Sequence, residues 1–239
     1  MLILDRENSI EIKEKEKVCY VSSWSKFMIS KMPLRLDDMV VCDFGAGTGV
    51  LSTIAALRGA KNVTAIEKDS SFRDLMKQNF KHNLVSCKVH SVASSCEILN
   101  LEYFDYIFCN PSCYPSAVGT SNFYHAGETG MDMINEVILF ASKTLKINGC
   151  LMILVPSLSP VSLMLESLKG LGLYASRDVD SIFVPFRTNI SHRLKQWVDN
   201  NSKKYNEMCY FERNGELCER VDLYSIRFTK DNKTKCITI

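Results

Sequence analysis

The apolar run Val40-Val41-Cys42 leads into Asp43-Phe44, glycines follow at Gly45, Gly47 and Gly49, and an apolar-periodic segment begins at once and runs to Leu57. Glycines spaced this closely break both helix and strand, and they allow backbone conformations closed to other residues. The stretch therefore reads as a buried strand, a tight turn and a helix start: the first βα unit of an open, mostly parallel sheet. At such a junction the helix N-terminus offers unpaired N–H groups to whatever lies over the turn.

The spacing narrows the ligand. A dinucleotide fingerprint runs G-x-G-x-x-G, but here the third glycine comes one residue early and Val50 stands in its place. Asp43-Phe44-Gly45-Ala46-Gly47-Thr48-Gly49 instead resembles the first motif of class I S-adenosylmethionine (SAM) methyltransferases. That resemblance implies an α/β, Rossmann-like sheet of seven strands with the last one antiparallel. It also implies that the glycine turn passes under the amino-acid end of SAM, and that an acid ending the second strand binds the ribose hydroxyls. Glu67 lies close to the roughly 20-residue spacing of a ribose acid. The adenine contact after the third strand falls near Ser94 or Ser95, where such enzymes often carry an acid. Asp43, Gly45, Gly47, Gly49, Glu67 and Ser94 are thus the candidate cofactor residues. A glycine turn alone also arises from steric demand, and Glu67 is what favours the ligand reading.

A second stretch with chemical content is Phe104-Asp105-Tyr106-Ile107-Phe108-Cys109-Asn110-Pro111-Ser112-Cys113-Tyr114-Pro115. Asp105 to Cys109 reads as the central fourth strand, stopped by Asn110-Pro111 at its carboxyl end, where ligands bind in open α/β sheets. The segment resembles the Asn-Pro-Pro-Tyr motif of methyltransferases that act on planar nitrogens: glutamine amides, adenine N6 and cytosine N4. A delocalised NH2 is a poor nucleophile. An asparagine oxygen and the next backbone carbonyl can accept both its N–H bonds and aim the lone pair at the methyl. Proline fixes the turn, and an aromatic ring stacks on the planar group. Asn110, Pro111 and Tyr114 are the candidate catalytic residues. Ser112 replaces the second proline, Cys113 stands at the aromatic position, and Tyr114 lies one residue late. Asn-Pro alone also simply starts a turn.

Residues 18 to 158 resemble the release-factor glutamine methyltransferase (HemK-like) family and its small-domain relatives. Gly130-Met131-Asp132 is similar to that family's Gly-Leu-Asp, with Asp132 at a helix start and Thr129 as its cap. The family's upstream Tyr-x-Pro-x-x-Asp element keeps Tyr20 but has Ser22 and Ser25 at the proline and acid positions. The first 38 residues leave no room for the family's substrate-recognition domain, so release factor is disfavoured as substrate. A protein side chain, a nucleobase or a small molecule remain as methyl acceptors.

The chain of 239 residues reads as one domain, with residues 1–38 a lead-in and cover helix. IEIKEKEK alternates briefly, as an outer strand or a mobile arm would, but is read first as a solvated lead-in, and Trp24, Phe27, Met28 and Met32 form one buried helix face after capping serines. Phe72, Met76, Phe80 and Leu84 share a second face behind Asp69 and Ser70 as caps. A helix over 130–146 is expected to end at an Asn148-Gly149 cap, followed by a strand over 150–156. A helix over 157–171 and a strand over 181–186 come next. Residues 187–208, with Trp197, form a helical insertion before the last strand over 221–228, and it serves as a substrate lid or homodimer contact or merely packs on the sheet. Asn214-Gly215 marks a hairpin.

A net charge of +2 gives no strong electrostatic case for nucleic acid or membrane. No apolar run is long enough to span a bilayer. The ten cysteines form no C-x-x-C pair, several sit in apolar strands, and no signal peptide precedes the early charge. A reduced, cytoplasmic setting is expected. Neither His82 nor His90 has a partner at metal-ligand spacing. Two rivals stay open: an O- or C-methyltransferase with Tyr124 or His125 as base, and a catalytically silent SAM-binding scaffold.

Overall fold

The computed structural model describes residues 2–5, 8–14, 21–85, 89–93, 103–115, 126–186 and 191–228. The chain divides into two compact units, Met1–Asn110 with Lys143–Met152, and Pro111–Ser142 with Ile153–Ile239.

In the first unit, β1 (Leu2–Asp5) and β2 (Asn8–Glu11) pair antiparallel as a separate two-stranded sheet. The lead-in is therefore not merely solvated: Ile10 and Ile12 are fully buried. Alternation of isoleucine with charge turns one face of this arm inward. Its backbone is fastened by side chains from a later helix, with Lys13 N donating to Asn79 Oδ1 at 2.9 Å and Glu11 N to Asn83 Oδ1 at 3.2 Å.

Helix α1 (Ser23–Lys31) starts at Ser22, whose hydroxyl accepts from Ser25 N. Trp24, Phe27, Met28 and Met32 are all buried, as their spacing requires. The helix is held at its far end by the buried Arg58, which donates to the Met32 and Ile29 carbonyls.

Strands β3 (Val40–Phe44), β4 (Asn62–Ile66), β5 (Val89–Val92) and β6 (Phe104–Cys109) alternate with α2 (Val50–Leu57) and α3 (Ser70–His82). They lie in the order β5-β4-β3-β6, followed by β7 (Leu145–Pro156). The pairings β3–β4, β3–β6 and β4–β5 are all parallel. Val41, Val63, Ile107 and Phe108 are fully buried, which fits strands covered on both faces. Asp105 pins the entry to this sheet by accepting from Val40 N at 2.8 Å and pairing with Lys146 at 2.7 Å.

Asp69 caps α3 by accepting from Ser71 N and Phe72 N. Phe72, Met76 and Phe80 are buried, but Leu84 is 87% exposed. The helix ends at His82, and Leu84 takes a positive φ of 58°, which swings it off the face its spacing assigns.

Helix α4 (Asp132–Thr144) begins three residues after Thr129, so Thr129 is not its cap. It passes directly into β7, and Asn148-Gly149 lies inside that strand rather than capping a helix. Gly149 has a steric reason to be glycine: a Cβ there would sit 2.8 Å from the Phe104 carbonyl oxygen.

Strand β7 begins in the first unit and ends in the second. There β10 (Glu216–Phe228) follows it in the sheet order, with β8 (Leu173–Pro185) antiparallel beyond. Helix α5 (Val161–Gly170) is shorter than its sequence expectation, and β8 starts eight residues before the expected Ser181 because β10 pairs along almost its whole length. The expected insertion contains α6 (Ser191–Asn201). A short β9 (Phe211–Arg213) turns into β10 through Asn214 and Gly215, at φ 52° and 78°. Two consecutive left-handed residues are what a type I′ hairpin demands.

The chain thus has the expected α/β sheet of seven strands along one path, plus β9, with the last strand antiparallel. Among the described residues no helix is long and apolar enough to cross a membrane, and no group of His, Cys, Asp and Glu could hold a metal.

Candidate functional site

The parallel register decides which residues emerge together. Phe44 of β3 pairs with Ile66 of β4 on one side and with Cys109 of β6 on the other. The next residue of each strand is Gly45, Glu67 and Asn110, so the three candidate segments leave one sheet edge side by side. Strand ladders are periodic, so level partners exit level.

Gly45, Gly47 and Gly49 all have positive φ, at 76°, 53° and 76°. Their roles differ. Gly45 and Gly47 keep part of their surface open, whereas Gly49 is buried. A Cβ on Gly49 would come within 2.6 Å of Met76 Cγ and Phe80 Cε1, so this glycine exists for packing against α3. The steric and the ligand-binding explanations thus apply to different glycines of one turn.

Glu67 sits at the end of β4 and is 8% exposed. Its Oε2 accepts from Gly47 N at 2.9 Å and its Oε1 from Asp69 N at 2.9 Å. The carboxylate is therefore anchored against the glycine turn, with acceptor capacity remaining on each oxygen. Beneath it, Asp43 is buried and receives Ser52 N at 2.9 Å and Ser52 Oγ at 2.6 Å. Burial raises the Asp43 carboxyl to about 6, the two Ser52 bonds oppose the rise, and the nearby Glu67 charge adds to it. Asp43 orients α2 through Ser52 rather than facing solvent.

Sequence reasoning missed Asn79. This fully buried side chain donates to the Thr48 carbonyl at 2.9 Å and to the Lys13 carbonyl at 3.1 Å. It fastens the glycine turn and the N-terminal arm to α3. An asparagine among apolar helix positions was the one available signal.

Asn110 is half-buried, and its Nδ2 donates to Ser25 Oγ at 3.0 Å. The amide nitrogen is thus the end of the Asn110 side chain that faces Ser25. Ser25 is the residue at the acid position of the degenerate upstream element, and its partner is invisible in the sequence.

In the second unit, Pro111 is buried, and Ser112 N donates to Met133 Sδ at 3.3 Å. Cys113, at the motif's aromatic position, is buried. Gly130 has φ 78° and must be glycine, since a Cβ would run into the Cys113 carbonyl oxygen. Tyr114 is half-buried, its carbonyl accepts from Ala126 N, and its hydroxyl donates to Glu219 Oε1 at 3.1 Å. Ser94, Ser95, Tyr124 and His125 lie outside the described residues.

No disulfide joins the described cysteines Cys42, Cys109, Cys113, Cys150, Cys209 and Cys218 to one another.

The donor set fits SAM: two accessible left-handed glycines leave room for backbone approach, and an anchored carboxylate at the neighbouring strand end suits vicinal hydroxyls.

Comparison with known proteins agrees. The family described as methyltransferase small domain matches residues 21–171. The chain is 37% identical over 76 residues to the tRNA1(Val) (adenine(37)-N6)-methyltransferase of Shewanella baltica (strain OS185), covering 30% of this chain and 32% of that one. It is 29% identical over 126 residues to the enzyme of that name from Shewanella woodyi, covering 49% and 52%. The chain thus spans about a third to a half of the curated relatives it matches. Among solved structures, a precorrin-6y C5,15-methyltransferase from Geobacter metallireducens superposes with a TM-score of 0.56 at 16% identity, covering 94% of this chain and 95% of that one, a likeness of fold.

Proposed function

Because this chain belongs to the methyltransferase small-domain family, we propose that it transfers the methyl group of SAM to a planar nitrogen, with N6 of an adenine in RNA as the acceptor. The observation that carries the reading is Asn110, leaving the sheet level with the glycine turn and hydrogen-bonded through its amide nitrogen to Ser25. The relatives named as adenine-N6 enzymes support nitrogen over oxygen or carbon, and tRNA as the RNA class. A cytoplasmic setting accords with such a substrate.

SAM, when bound, supplies a sulfonium methyl whose carbon–sulfur bond breaks as the carbon–nitrogen bond forms, leaving a neutral thioether. The chain's own residues position the reactants. Glu67 accepts from ribose hydroxyls, and Gly45 and Gly47 let backbone approach the amino-acid end. Asn110 Oδ1 and the Pro111 carbonyl each accept one N–H of the adenine amine, which aims its lone pair out of conjugation and toward the methyl. Tyr114 stacks on the base. The nitrogen becomes cationic on transfer, and the two oxygens offset that charge until the proton leaves to solvent. No strong base is required.

The test is incubation of the full chain with labelled SAM and unmodified tRNA transcripts, followed by nucleoside analysis. N6-methyladenosine formation, lost in Asn110→Ala at unchanged SAM affinity, is the expected result. Label in O- or C-methyl products, or equal turnover by Asn110→Ala, would overturn the reading.

A further inference from the structure

Glu219 is the least explained charged residue in the described chain. It lies within β10, opposite Val184 of β8, and is fully buried. Its Oε1 accepts from the Tyr114 hydroxyl at 3.1 Å, while its Oε2 has no hydrogen-bond partner. A buried carboxyl with one unsatisfied oxygen is costly in the folded state. Burial raises this carboxyl to about 8, with the Tyr114 hydrogen bond opposing, so at neutral pH it is largely the uncharged acid. Folding alone gains nothing that an apolar residue would not supply more cheaply.

What Glu219 does have is a grip on Tyr114. Tyr114 also packs against a cluster of Leu158, Phe186, Leu194 and Val198, as does Trp197. Leu194, Trp197 and Val198 all belong to α6, the helix of the insertion. Tyr114 is thus held both by packing on an apolar cluster and by an acceptor at its hydroxyl, while the residue stays only half-buried. Tyr114 also stands one residue late in its motif, so its ring does not inherit the placement that a motif aromatic receives from the turn itself.

We propose that Glu219 is a positioning residue that, together with helix α6, fixes the ring of Tyr114 in the orientation used for stacking on the acceptor base. The proposal rests on the nitrogen-methylation reading above. It gives the insertion a role: α6 and β10 rebuild from outside the motif the support that Cys113, buried at the aromatic position, does not provide. Two independent fixations of one ring make a pose, because a hydroxyl anchor alone leaves rotation about the anchor and packing alone leaves sliding along the cluster.

The experiment uses the full chain carrying 3-fluorotyrosine, with the Tyr114 resonance assigned by its loss in Tyr114→Phe, alongside methyl transfer to unmodified tRNA transcripts. Glu219→Gln keeps a carbonyl acceptor for the phenol and should leave the resonance single and turnover within about threefold of wild type. Glu219→Leu removes the acceptor without leaving a cavity. It should shift or broaden the resonance and lower kcat roughly tenfold with SAM affinity unchanged, the order expected when one orienting contact is lost. Tyr114→Phe should lose as much, and Tyr114→Phe with Glu219→Leu no more than either alone. An unmoved resonance in Glu219→Leu, or additive losses in the double variant, would overturn the proposal. Unchanged turnover in Tyr114→Ala would instead refute the stacking role itself. If no protein, wild type included, methylates the transcripts, the nitrogen-methylation reading fails, and the resonance still decides whether Glu219 holds the ring.

Discussion

Ser25 Oγ lies 3.0 Å from the amide nitrogen of Asn110 and accepts its hydrogen bond. The two residues are 85 positions apart, and the contact joins the first turn of α1 to the end of β6. It holds the Asn110 side chain against α1. It ties Ser25 of the upstream segment to Asn110 of the Asn-Pro segment. Arg58, by gripping the last turn of α1 from α2, keeps Ser25 where that contact needs it.

Ser25→Ala removes this fixation and leaves Asn110 in place. Turnover is expected to fall about 5- to 20-fold through loss of orientation, with thermal stability lowered by no more than about 1 kcal/mol. Asn110→Ala goes further, to about 10²–10³-fold, again with SAM affinity nearly intact. Asn110→Asp keeps shape and acceptor and is expected to retain partial activity. Steady-state kinetics at matched folded concentration checks all three, and a Ser25→Ala enzyme as active as wild type would show the contact to be incidental.

Gly47→Val and Gly49→Ala separate ligand clearance from packing. The first places a side chain on an accessible edge and is expected to abolish SAM binding by calorimetry. The second drives a Cβ into Met76 and Phe80 from a left-handed backbone. Its cost is expected to be about 2–4 kcal/mol of stability, combining backbone strain and overpacking. If Gly49→Ala kept its melting temperature but lost SAM, the roles assigned to the two glycines would be reversed.

Glu67→Gln keeps size but turns one acceptor into an NH2 facing a backbone N–H, either Gly47 or Asp69. Loss of that anchor and of ribose acceptance is expected to weaken SAM binding about 10- to 100-fold. Titration calorimetry reads this directly, and unchanged affinity would remove Glu67 from the ribose site.

The pH dependence has a defined sign. Glu219 is raised from 4.5 to about 8 by burial, so between those values the folded chain holds a proton that the unfolded chain has released. Stability from this group is present below pH 4.5 and is lost as pH rises through about 8, with a slope of at most about 1.4 kcal/mol per pH unit. Asp43, raised from 3.8 to about 6, acts in the same direction over a lower window. Urea midpoints across these windows should fall with rising pH, and Glu219→Gln should flatten the upper part. A wild-type midpoint that climbs between pH 6 and 8 would contradict the buried neutral acid.

What the sequence by itself determined was whatever depends on local backbone demand. Left-handed glycines at the turn, Asp69 capping α3, Ser22 capping α1 and Asn214-Gly215 turning β9 into β10 each need a particular residue type at a particular φ or cap, so type and spacing suffice to read them. Strand and helix periodicity likewise placed Trp24, Phe72 and the apolar strands inside. The tertiary structure decided everything that depends on which distant backbone arrives alongside. Asn148-Gly149 looked like a helix end and proved to be a close approach to Phe104, and Leu84 fell off its helix face once α3 stopped at His82. Ile10 and Ile12 looked like part of a charged arm until the arm was fastened by Asn79 and Asn83. Ser25 reached Asn110, and Glu219 reached Tyr114, across 85 and 105 positions. A hydrogen bond is worth making only at about 3 Å, and no residue type or spacing encodes which of many polar side chains the packed elements will bring to that distance.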